Sequence, residues 1–409
     1  MSKLHAPMSQ FNIDQQQLLI GDKTLAQIEM LVGQTPFYAY DANIVKDTIT
    51  ALKAALPPQV SLHYAVKANP YPPLVNFIKP LVKGFDVASK KELLLALQTG
   101  MPPANISFAG PGKTQEDITA AIVAGITLHV ESINELASII ERGKHLDTTP
   151  NVAIRVNPAF ELKASGMRMS GGAKPFGIDE ELLPEVLSTL DYDAVNFRGF
   201  HIYSGSQNLQ ADAIIEMHNN TFALAERLML ITKSKIDYIN IGGGFGIPYF
   251  PGDKRLNTAP IMENLTRLFA QYVTLSHVEM IIELGRYLVG ECGVYASKIV
   301  DIKTSREQKF LVCNGGLHHH LANSGNFGQV IRKNYPVSLG NKLLSGNSDT
   351  ECVTLVGPLC TPLDVLASKV ELPKANIGDF AIIYQSGAYG PTASPQDFLS
   401  QGRVAEILL

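Results

Sequence analysis

Lys67 is the residue whose setting first points to covalent chemistry. It stands near the end of the run 60–68 (VSLHYAVKA), which is otherwise mostly apolar or β-branched. Burial disfavours the charged form of lysine and lowers its pKa, and an uncharged amine can form a Schiff base with an aldehyde. The alternative is structural: the stem of Lys67 is buried and its ammonium pairs with Asp86 or Glu283. The residue alone leaves both interpretations open.

Three further features would complete a site for a phosphorylated aldehyde. The run Gly242–Gly246 (GGGFG) follows a predicted strand, and its backbone N–H groups can wrap a phosphate, although a tight turn explains the glycines equally well. His201 can stack on a planar ring or act as a base, or it is simply packed. Glu283 facing a pyridine nitrogen would keep that nitrogen protonated, which makes the ring an electron sink. Together with the lysine, these features predict a site for pyridoxal 5′-phosphate.

Two other motifs point to different ligands but fit them poorly. The run Gly110–Thr114 (GPGKT) is similar to the end of a nucleotide-binding loop, yet the position of the first glycine holds Ser107. The run His318–His320 suggests a metal, but consecutive residues rarely all reach one ion and no H-E-x-x-H pattern supports it. We therefore predict neither a nucleoside triphosphate site nor a metal site.

The elements that must position these residues alternate between strand and helix. Short apolar runs bounded by Gly, Pro or charge predict eight strands. The predicted strands are 60–68, 84–89, 106–110, 126–132, 151–157, 197–204, 238–244 and 279–286. Eight such units in about 230 residues predict a (β/α)8 TIM barrel, and a doubly wound open sheet is the alternative. In a barrel the site lies at the carboxyl ends of the strands.

The segments between the strands carry helix boundaries. Ser89, Thr114 and Ser132 each precede an acidic residue by three positions, which is the pattern of a helix N-cap. Glycines follow and mark the ends of these helices. The three predicted endpoints are Gly100, Gly125 and Gly143.

The pattern changes after about residue 290, where short strands separated by turns predict a mainly β domain. We predict three parts: an N-terminal segment, 1–40, that packs with the β domain; a barrel that binds the cofactor, 41–288; and the β domain, 289–409.

Composition limits the partners. The net charge is −4 with no basic stripe, so nucleic acid is an unsuitable partner. The four cysteines form no CxxC pair in this long chain, which favours a reducing compartment over a disulfide framework. No apolar stretch is long enough to span a bilayer, and the start has no signal-peptide pattern. We therefore expect a cytoplasmic protein without membrane contact.

Seven motifs, in order, resemble those of the fold type III pyridoxal-phosphate decarboxylases, the family of diaminopimelate, ornithine and arginine decarboxylases. They are HYAVKAN, GFDVAS, HIYSGSQ, INIGGGFG, ELGRY, GPLCTPLD and SGAYG. The resemblance covers roughly residues 35–409. It implies a barrel of the alanine-racemase type, a C-terminal β domain and pyridoxal 5′-phosphate as the cofactor.

The resemblance also implies a role for each matching residue. Lys67 corresponds to the Schiff-base lysine, His201 to the residue stacked on the ring, and Glu283 to the partner of the pyridine nitrogen. The phosphate would be held by residues at strand ends and in the β domain. These are Ser204, Gly244, Gly285, Arg286 and Tyr389, while Asp86, Arg155 and Gly243 complete the predicted cofactor site.

Cys360 resembles the family cysteine that enters the site from a neighbouring subunit and protonates Cα after CO2 is lost. This implies a homodimer with shared active sites. The diaminopimelate and ornithine enzymes follow the cysteine with an acidic or Glu-Ser-type residue that holds a distal amine, whereas Thr361 and Pro362 follow it here. Because a buried cation needs a paired charge, the far end of the substrate is expected to be neutral, acidic or bulky.

This departure resembles a subgroup that decarboxylates amino acids joined to citrate in siderophore assembly or to a carrier protein in antibiotic assembly. The segment Phe160–Gly172 with Arg168, Lys174 and Arg332 would contact the acidic group, or these charges are merely solvated. The first alternative is a diaminopimelate or basic amino-acid decarboxylase. A homologue that binds the cofactor without catalysis is a further alternative, as is a racemase, for which Cys360 would be an awkward second base.

Overall fold

The computed structural model describes residues 4–161, 167–168, 170–325, 332–343 and 349–409. The chain divides into two compact units. The β unit consists of Met1–Asp47, Ile247–Arg255 and Leu288–Leu409, and the barrel unit consists of Thr48–Gly246 and Leu256–Tyr287. Among the described residues, no helix has the length and apolar character that crossing a membrane requires.

The strands of the described residues run in chain order as follows: β1 Ile13–Asp14, β2 Gln17–Ile20, β3 Lys23–Thr24, β4 Phe37–Tyr40, β5 Val60–Ala65, β6 Gly84–Val87, β7 Ile106–Phe108, β8 Thr127–Val130, β9 Asn151–Asn157, β10 Met167–Arg168, β11 Ile178–Asp179, β12 Asn196–Ile202, β13 Gly205–Ser206, β14 Tyr238–Gly243, β15 Glu279–Leu284, β16 Gly293–Ser305, β17 Gln308–Cys313, β18 Val337–Leu339, β19 Thr350–Val356, β20 Val365–Pro373, β21 Phe380–Ile383 and β22 Ala405–Leu408. The α-helices are α1 Leu25–Val32, α2 Ala42–Ala55, α3 Pro72–Ile78, α4 Lys90–Gln98, α5 Gln115–Ala124, α6 Ile133–His145, α7 Leu183–Thr189, α8 Ala211–Ile231, α9 Ala259–Gln271 and α10 Arg286–Val289.

The barrel unit contains a closed ring of eight parallel strands within its described residues. Their order is β9, β12, β14, β15, β5, β6, β7 and β8, and the pairing of β8 with β9 closes the ring. The register sets Leu128 opposite Val152 at this closure. The ring confirms the predicted (β/α)8 barrel and excludes the open sheet.

Most of the eight strands end two or three residues before the predicted position. β5 ends at Ala65, and Val66–Ala68 form a 3₁₀ turn. The apolar character of the sequence continues past the point where the backbone leaves the ladder, so the pattern places strand centres better than strand ends. Lys67 therefore lies in the turn beyond its strand.

The helix caps form largely as their sequence predicts. The side chain of Thr114 accepts a hydrogen bond from the backbone N–H of Asp117, and the backbone N–H of Thr114 donates one to the Asp117 carboxylate. Gly125 ends α5 at a φ of 71°. The predicted endpoint Gly143 is wrong, because α6 continues to His145. A Cβ at Gly143 would lie 2.7 Å from Cδ of Pro150, so this glycine allows close packing rather than a turn.

The β unit is organised around the long strand β16. Its first half pairs with β4 and β21, and its second half pairs with β17. The sheet continues through β19 to β20, and β22 pairs in parallel with β4. The core on one side of this sheet is apolar and fully or nearly fully buried. It contains Phe11, Leu18, Ile20, Leu25, Ile28, Phe37, Ala39, Val294, Ala296, Phe380, Ile382 and Tyr384.

Candidate active site

The carboxyl ends of the barrel strands bring an amine, a carboxylate and an imidazole together. Nζ of Lys67 lies 3.7 Å from Oε1 of Glu283, and Nε2 of His201 lies 3.4 Å from Oε2 of the same carboxylate. Glu283 belongs to β15 and His201 to β12, so these three side chains come from separate parts of the ring. Asn240 of β14 places its Nδ2 atom 3.4 Å from Oε2 of Glu283.

Glu283 is held in its charged form inside the barrel. Burial by itself would raise the pKa of its carboxyl, but the interaction with His201 and the charge of Lys67 outweigh burial and hold the pKa well below its ordinary value. A buried carboxylate that stays ionised can accept a proton or a hydrogen bond from a positively charged ring nitrogen. This is the electrostatic property predicted for the partner of a pyridine ring.

The exposure of the Lys67 side chain differs from what the sequence predicts. The side chain is 42% exposed, so the prediction that the strand buries it is wrong. The cause is the early end of β5, which leaves the lysine on the 3₁₀ turn at the mouth of the barrel. Its ion pair with Glu283 is the contact that the structural interpretation of Lys67 requires. Because the side chain is exposed, a ligand can also reach its amine. Nζ further lies 5.6 Å from the centre of the Tyr203 ring.

A glycine turn and a buried hydroxyl lie at the neighbouring strand ends. Gly244 has a φ of 80°, and a Cβ there would lie 2.6 Å from the backbone oxygen of Gly205. A Cβ at Gly243 would lie 2.2 Å from the backbone oxygen of Glu283. Within the described residues, Oγ of Ser204 is buried and has no hydrogen-bond partner. An unpaired buried hydroxyl is costly, and a phosphate oxygen would satisfy it.

Gly285 and Arg286 follow β15, where α10 begins. A Cβ at Gly285 would lie 2.7 Å from Cβ of Ala68, so the glycine lets this strand end approach the turn that carries Lys67. The anionic phosphate, the ring nitrogen and the aldehyde of pyridoxal 5′-phosphate thus each find a suitable group on this chain. The residues present fit the cofactor.

Two predicted cofactor residues have close protein partners. Asp86 is buried, accepts a hydrogen bond from Ser107, and lies 3.5 Å from Nδ1 of His63. Arg155 donates from Nη1 to Oε1 of Glu131 at 2.7 Å. Their contacts are therefore with neighbouring strands, and their roles toward the cofactor stay predictions.

Glu131 contacts a predicted site residue, Arg155, and the sequence analysis did not name it as a candidate. Its carboxylate also accepts hydrogen bonds from the backbone N–H groups of Gly110 and Gly177. Burial would raise the pKa of Glu131, but the charge of Arg155 outweighs it and lowers the pKa. Since Glu131 directly follows β8, the rule that strand ends carry functional residues could have found it.

The GPGKT run has a structural role. Nζ of Lys113 donates to the backbone oxygens of Gly110 and His129 and to Oε1 of Glu135, and its side chain is only 1% exposed. A lysine whose three donors are engaged in this way has none to offer a phosphate.

Two predicted site residues belong to the β unit. Cys360 is exposed in the connection between β19 and β20, and Tyr389 is half-buried in the segment after β21. The three histidines His318–His320 lie in the same unit and are buried. Across the described ranges, no group of three or more His, Cys, Asp or Glu side chains is arranged to hold a metal ion.

The predicted contact region for an acidic substrate group is only partly described. Residues 162–166 and 169 and the side chain of Arg168 lie outside the described residues. Lys174 is half-buried, and Nη2 of Arg332 donates to the backbone oxygen of Val365.

Comparison with known proteins places this geometry in a family. Residues 42–290 match the family model described as "Pyridoxal-dependent decarboxylase, pyridoxal binding domain". An L-glutamyl-(BtrI acyl-carrier protein) decarboxylase from Niallia circulans is 35% identical and covers 92% of this chain and 89% of its own length. A diaminopimelate decarboxylase from Bacteroides thetaiotaomicron is 32% identical over 87% of this chain and 91% of its own length.

A third relative, from Staphylococcus aureus, is a 2-((L-alanin-3-ylcarbamoyl)methyl)-2-hydroxybutanedioate decarboxylase. It is 30% identical and covers 91% of this chain and 94% of its own length. Among solved structures, the diaminopimelate decarboxylase of Methanocaldococcus jannaschii in complex with L-lysine is similar with a TM-score of 0.85 and 27% identity. That match covers 98% of this chain and 93% of the other.

The alternatives of a racemase and of a binding protein without activity find no support among these relatives. The family match spans the barrel whose strand ends hold Lys67, His201 and Glu283, and the curated relatives match nearly the whole chain. The chain therefore belongs to the family of pyridoxal-dependent decarboxylases, and it is a carboxy-lyase that uses pyridoxal 5′-phosphate.

Proposed function

We propose that this enzyme removes the α-carboxylate of an amino acid whose far end is joined to another group, and that it releases CO2 and the corresponding amine. The relative from Niallia circulans acts on a glutamyl group joined to a carrier protein. The name of the relative from Staphylococcus aureus describes an alanine joined through an amide to a hydroxy dicarboxylate. Both substrates lack a free distal ammonium, and this shared chemistry supports the proposal.

The proposal rests on which charges are available in the turn that follows Cys360. Thr361 and Pro362 offer no charge, and the acid in this turn, Asp364, is 2% exposed. Its carboxylate accepts the backbone N–H groups of Leu317 and Leu359 at 2.7 and 2.8 Å. Because Asp364 is already engaged, the turn has no carboxylate to pair with the distal ammonium of lysine, ornithine or diaminopimelate.

The residues of the barrel would share the work of holding the cofactor. Lys67 would hold it through its amine, and Ser204 and the glycine turn at Gly243 and Gly244 would hold the phosphate. When bound, pyridoxal 5′-phosphate supplies a sink for the electron pair left on Cα when the carboxylate departs. Ionised Glu283 would keep a proton on the ring nitrogen, and His201 would cover the face of the ring.

We propose that a residue of the β unit returns the proton to Cα. Cys360 is exposed, and its thiol is the predicted donor of that proton. In the proposed homodimer this thiol would serve the barrel of the partner copy. The homodimer and the cytoplasmic location both remain proposals, and sedimentation velocity tests the first.

A CO2-release assay across matched substrates tests the proposed function. The free substrates are lysine, ornithine, diaminopimelate and glutamate. The conjugated substrates are glutamate joined to a carrier protein and a diamino acid joined through an amide to citrate. We expect the conjugates to give kcat/KM values at least about tenfold above those of the basic amino acids, since an unpaired buried charge is costly. Equal or better turnover of any free basic amino acid would contradict the proposal.

The variant Thr361→Glu sharpens this assay because it restores a carboxylate to the turn. We expect it to shift the ratio of kcat/KM values toward diaminopimelate. Thr361→Ser is the matched control and should leave the ratio unchanged. The second candidate, decarboxylation of free diaminopimelate, is favoured by the similarity to the Bacteroides enzyme, and the same assay decides between the two.

A further inference from the structure

A second imidazole lies next to His201 inside the barrel. His129 belongs to β8 and is 1% exposed. The centres of the two imidazole rings are 4.4 Å apart, and the ring planes are inclined by 41°. None of the seven motifs that define the family resemblance includes His129, and the proposed chemistry gives it no task.

The ring of His129 is hydrogen-bonded to a residue of a third strand. Its Nε2 atom lies 3.0 Å from the hydroxyl of Tyr238, the first residue of β14. Burial and the charge of His201 lower the pKa of His129 well below its ordinary value, while burial raises the pKa of Tyr238. Both groups are therefore neutral at neutral pH, and the bond between them brings no charge close to Glu283.

The contacts continue from this pair to the proposed cofactor site. Nε2 of His201 lies 3.4 Å from Oε2 of Glu283, and Nδ2 of Asn240 lies 3.4 Å from the same oxygen. Oδ1 of Asn240 in turn accepts the backbone N–H of Gly242, in the glycine turn. His201 and Asn240 thus both lie next to the same oxygen of Glu283, and the ring of His201 also lies next to the ring of His129.

We propose that His129, anchored by Tyr238, is a positioning residue that fixes the plane of the His201 ring and through it the direction of the Glu283 carboxylate. This inference rests on the proposed role of these residues toward the cofactor. It does not depend on which amino acid the enzyme decarboxylates. A neutral ring suits the role because a charged ring at position 129 would compete with Lys67 for the Glu283 carboxylate.

The test uses the apoprotein and three variants. His129→Leu removes the supporting ring, and Tyr238→Phe removes only the anchoring oxygen. His218→Leu is the matched control, because His218 is a fully buried histidine on α8, outside the barrel strands. The readouts are the ring-nitrogen NMR signals of His201 in the apoprotein, and the dissociation constant for pyridoxal 5′-phosphate from an absorbance titration.

We expect His129→Leu to shift the His201 signals and to weaken cofactor binding about tenfold, which is typical when the support of a ligand-holding side chain is lost. Tyr238→Phe should act in the same direction with a smaller effect, and His218→Leu should change neither readout. Unchanged His201 signals and unchanged affinity in folded His129→Leu would overturn the proposal. If that variant does not fold, the same result in Tyr238→Phe overturns it.

This experiment separates the inference from the proposed function. Failure of the substrate proposal would appear in the CO2-release assay of the wild-type enzyme and would leave the His201 signals untouched. Failure of the positioning proposal would leave wild-type turnover and substrate preference as they are.

Discussion

Two groups of buried histidines, one in each unit, differ in the partners of their rings. In the barrel unit, His201 lies 3.4 Å from the carboxylate of Glu283. In the β unit, Nε2 of His320 lies 2.9 Å from the hydroxyl of Ser386, and Nε2 of His319 lies 2.7 Å from the backbone oxygen of Gly402. The first group contacts a charge, whereas His320 and His319 bind a neutral hydroxyl and a backbone oxygen.

This difference decides what each group can do. Burial lowers the pKa of His318 and His319 to about 4 and that of His320 to about 3, so these rings are neutral in the native β unit. In the barrel, the interactions with His201 and Lys67 keep Glu283 ionised against its burial. A run of three histidines is the more conspicuous feature of the sequence, but His201, beside the ionised carboxylate of Glu283, is the histidine whose contacts suit the proposed chemistry.

The largest effect is expected from Lys67→Ala. Since the amine is the proposed attachment point of the cofactor, its loss should lower kcat/KM for CO2 release by more than about a thousandfold and abolish the visible-edge absorbance of the bound cofactor. The control is Lys91→Ala, which removes an exposed lysine on α4. An unchanged cofactor spectrum in Lys67→Ala would place the attachment elsewhere.

Removal of the charge at Glu283 should have the next largest effect. Glu283→Gln keeps the size of the side chain but cannot hold a proton on the ring nitrogen, so we expect kcat to fall by about a hundredfold. Glu279→Gln, at the opposite end of the same strand, is the matched control and should change kcat little. Comparable losses in both variants would show that charge anywhere in β15 matters, and the comparison of the two histidine groups would lose its basis.

We expect the buried histidines of the β unit to affect the stability of the protein rather than its turnover. The pKa of His320 is about 3 in the native state, so the unfolded chain binds a proton that the native chain does not as pH falls below 6.5. Its contribution to stability is present above pH 6.5 and decreases as pH falls toward 3. His320→Gln should therefore reduce the pH slope of the unfolding free energy by up to about 1.4 kcal/mol per pH unit in this window.

Denaturant titrations at several pH values measure that slope. The control is His145→Gln, which replaces an exposed histidine at the end of α6 and should leave the slope unchanged. A wild-type slope in His320→Gln would mean that His320 is protonated in the native β unit, and the contrast with the barrel would disappear.

The sequence predicts the fold well because its signals are local. Alternating strand and helix patterns locate all eight barrel strands, and the caps at Ser89, Thr114 and Ser132 form as expected. Strand ends are less predictable, because the apolar run around Lys67 continues after the backbone has left the ladder. The helix end predicted at Gly143 is wrong because the sequence does not distinguish a glycine needed for packing against Pro150 from a glycine needed for a turn.

The sequence predicts candidate site residues that stand at strand ends. It does not predict those whose role depends on contact with a residue distant in the sequence. Lys67, His201 and Glu283 follow from the geometry of a barrel once the strands are counted. His129 acquires its meaning only when closure of the ring brings β8 beside the ring of His201, and nothing in TLHVES shows this. The segment Ile247–Arg255, which belongs to the β unit, likewise carries no composition shift that marks it.

We propose that this chain holds pyridoxal 5′-phosphate at the exposed amine of Lys67, which faces Glu283. Borohydride reduction of the holoenzyme, followed by proteolysis and mass spectrometry, tests it directly because reduction fixes the cofactor to the lysine that bears it. We expect one phosphopyridoxyl label, on the peptide that contains Lys67. A label on Lys113 or on any other lysine, with Lys67 unmodified, would contradict it.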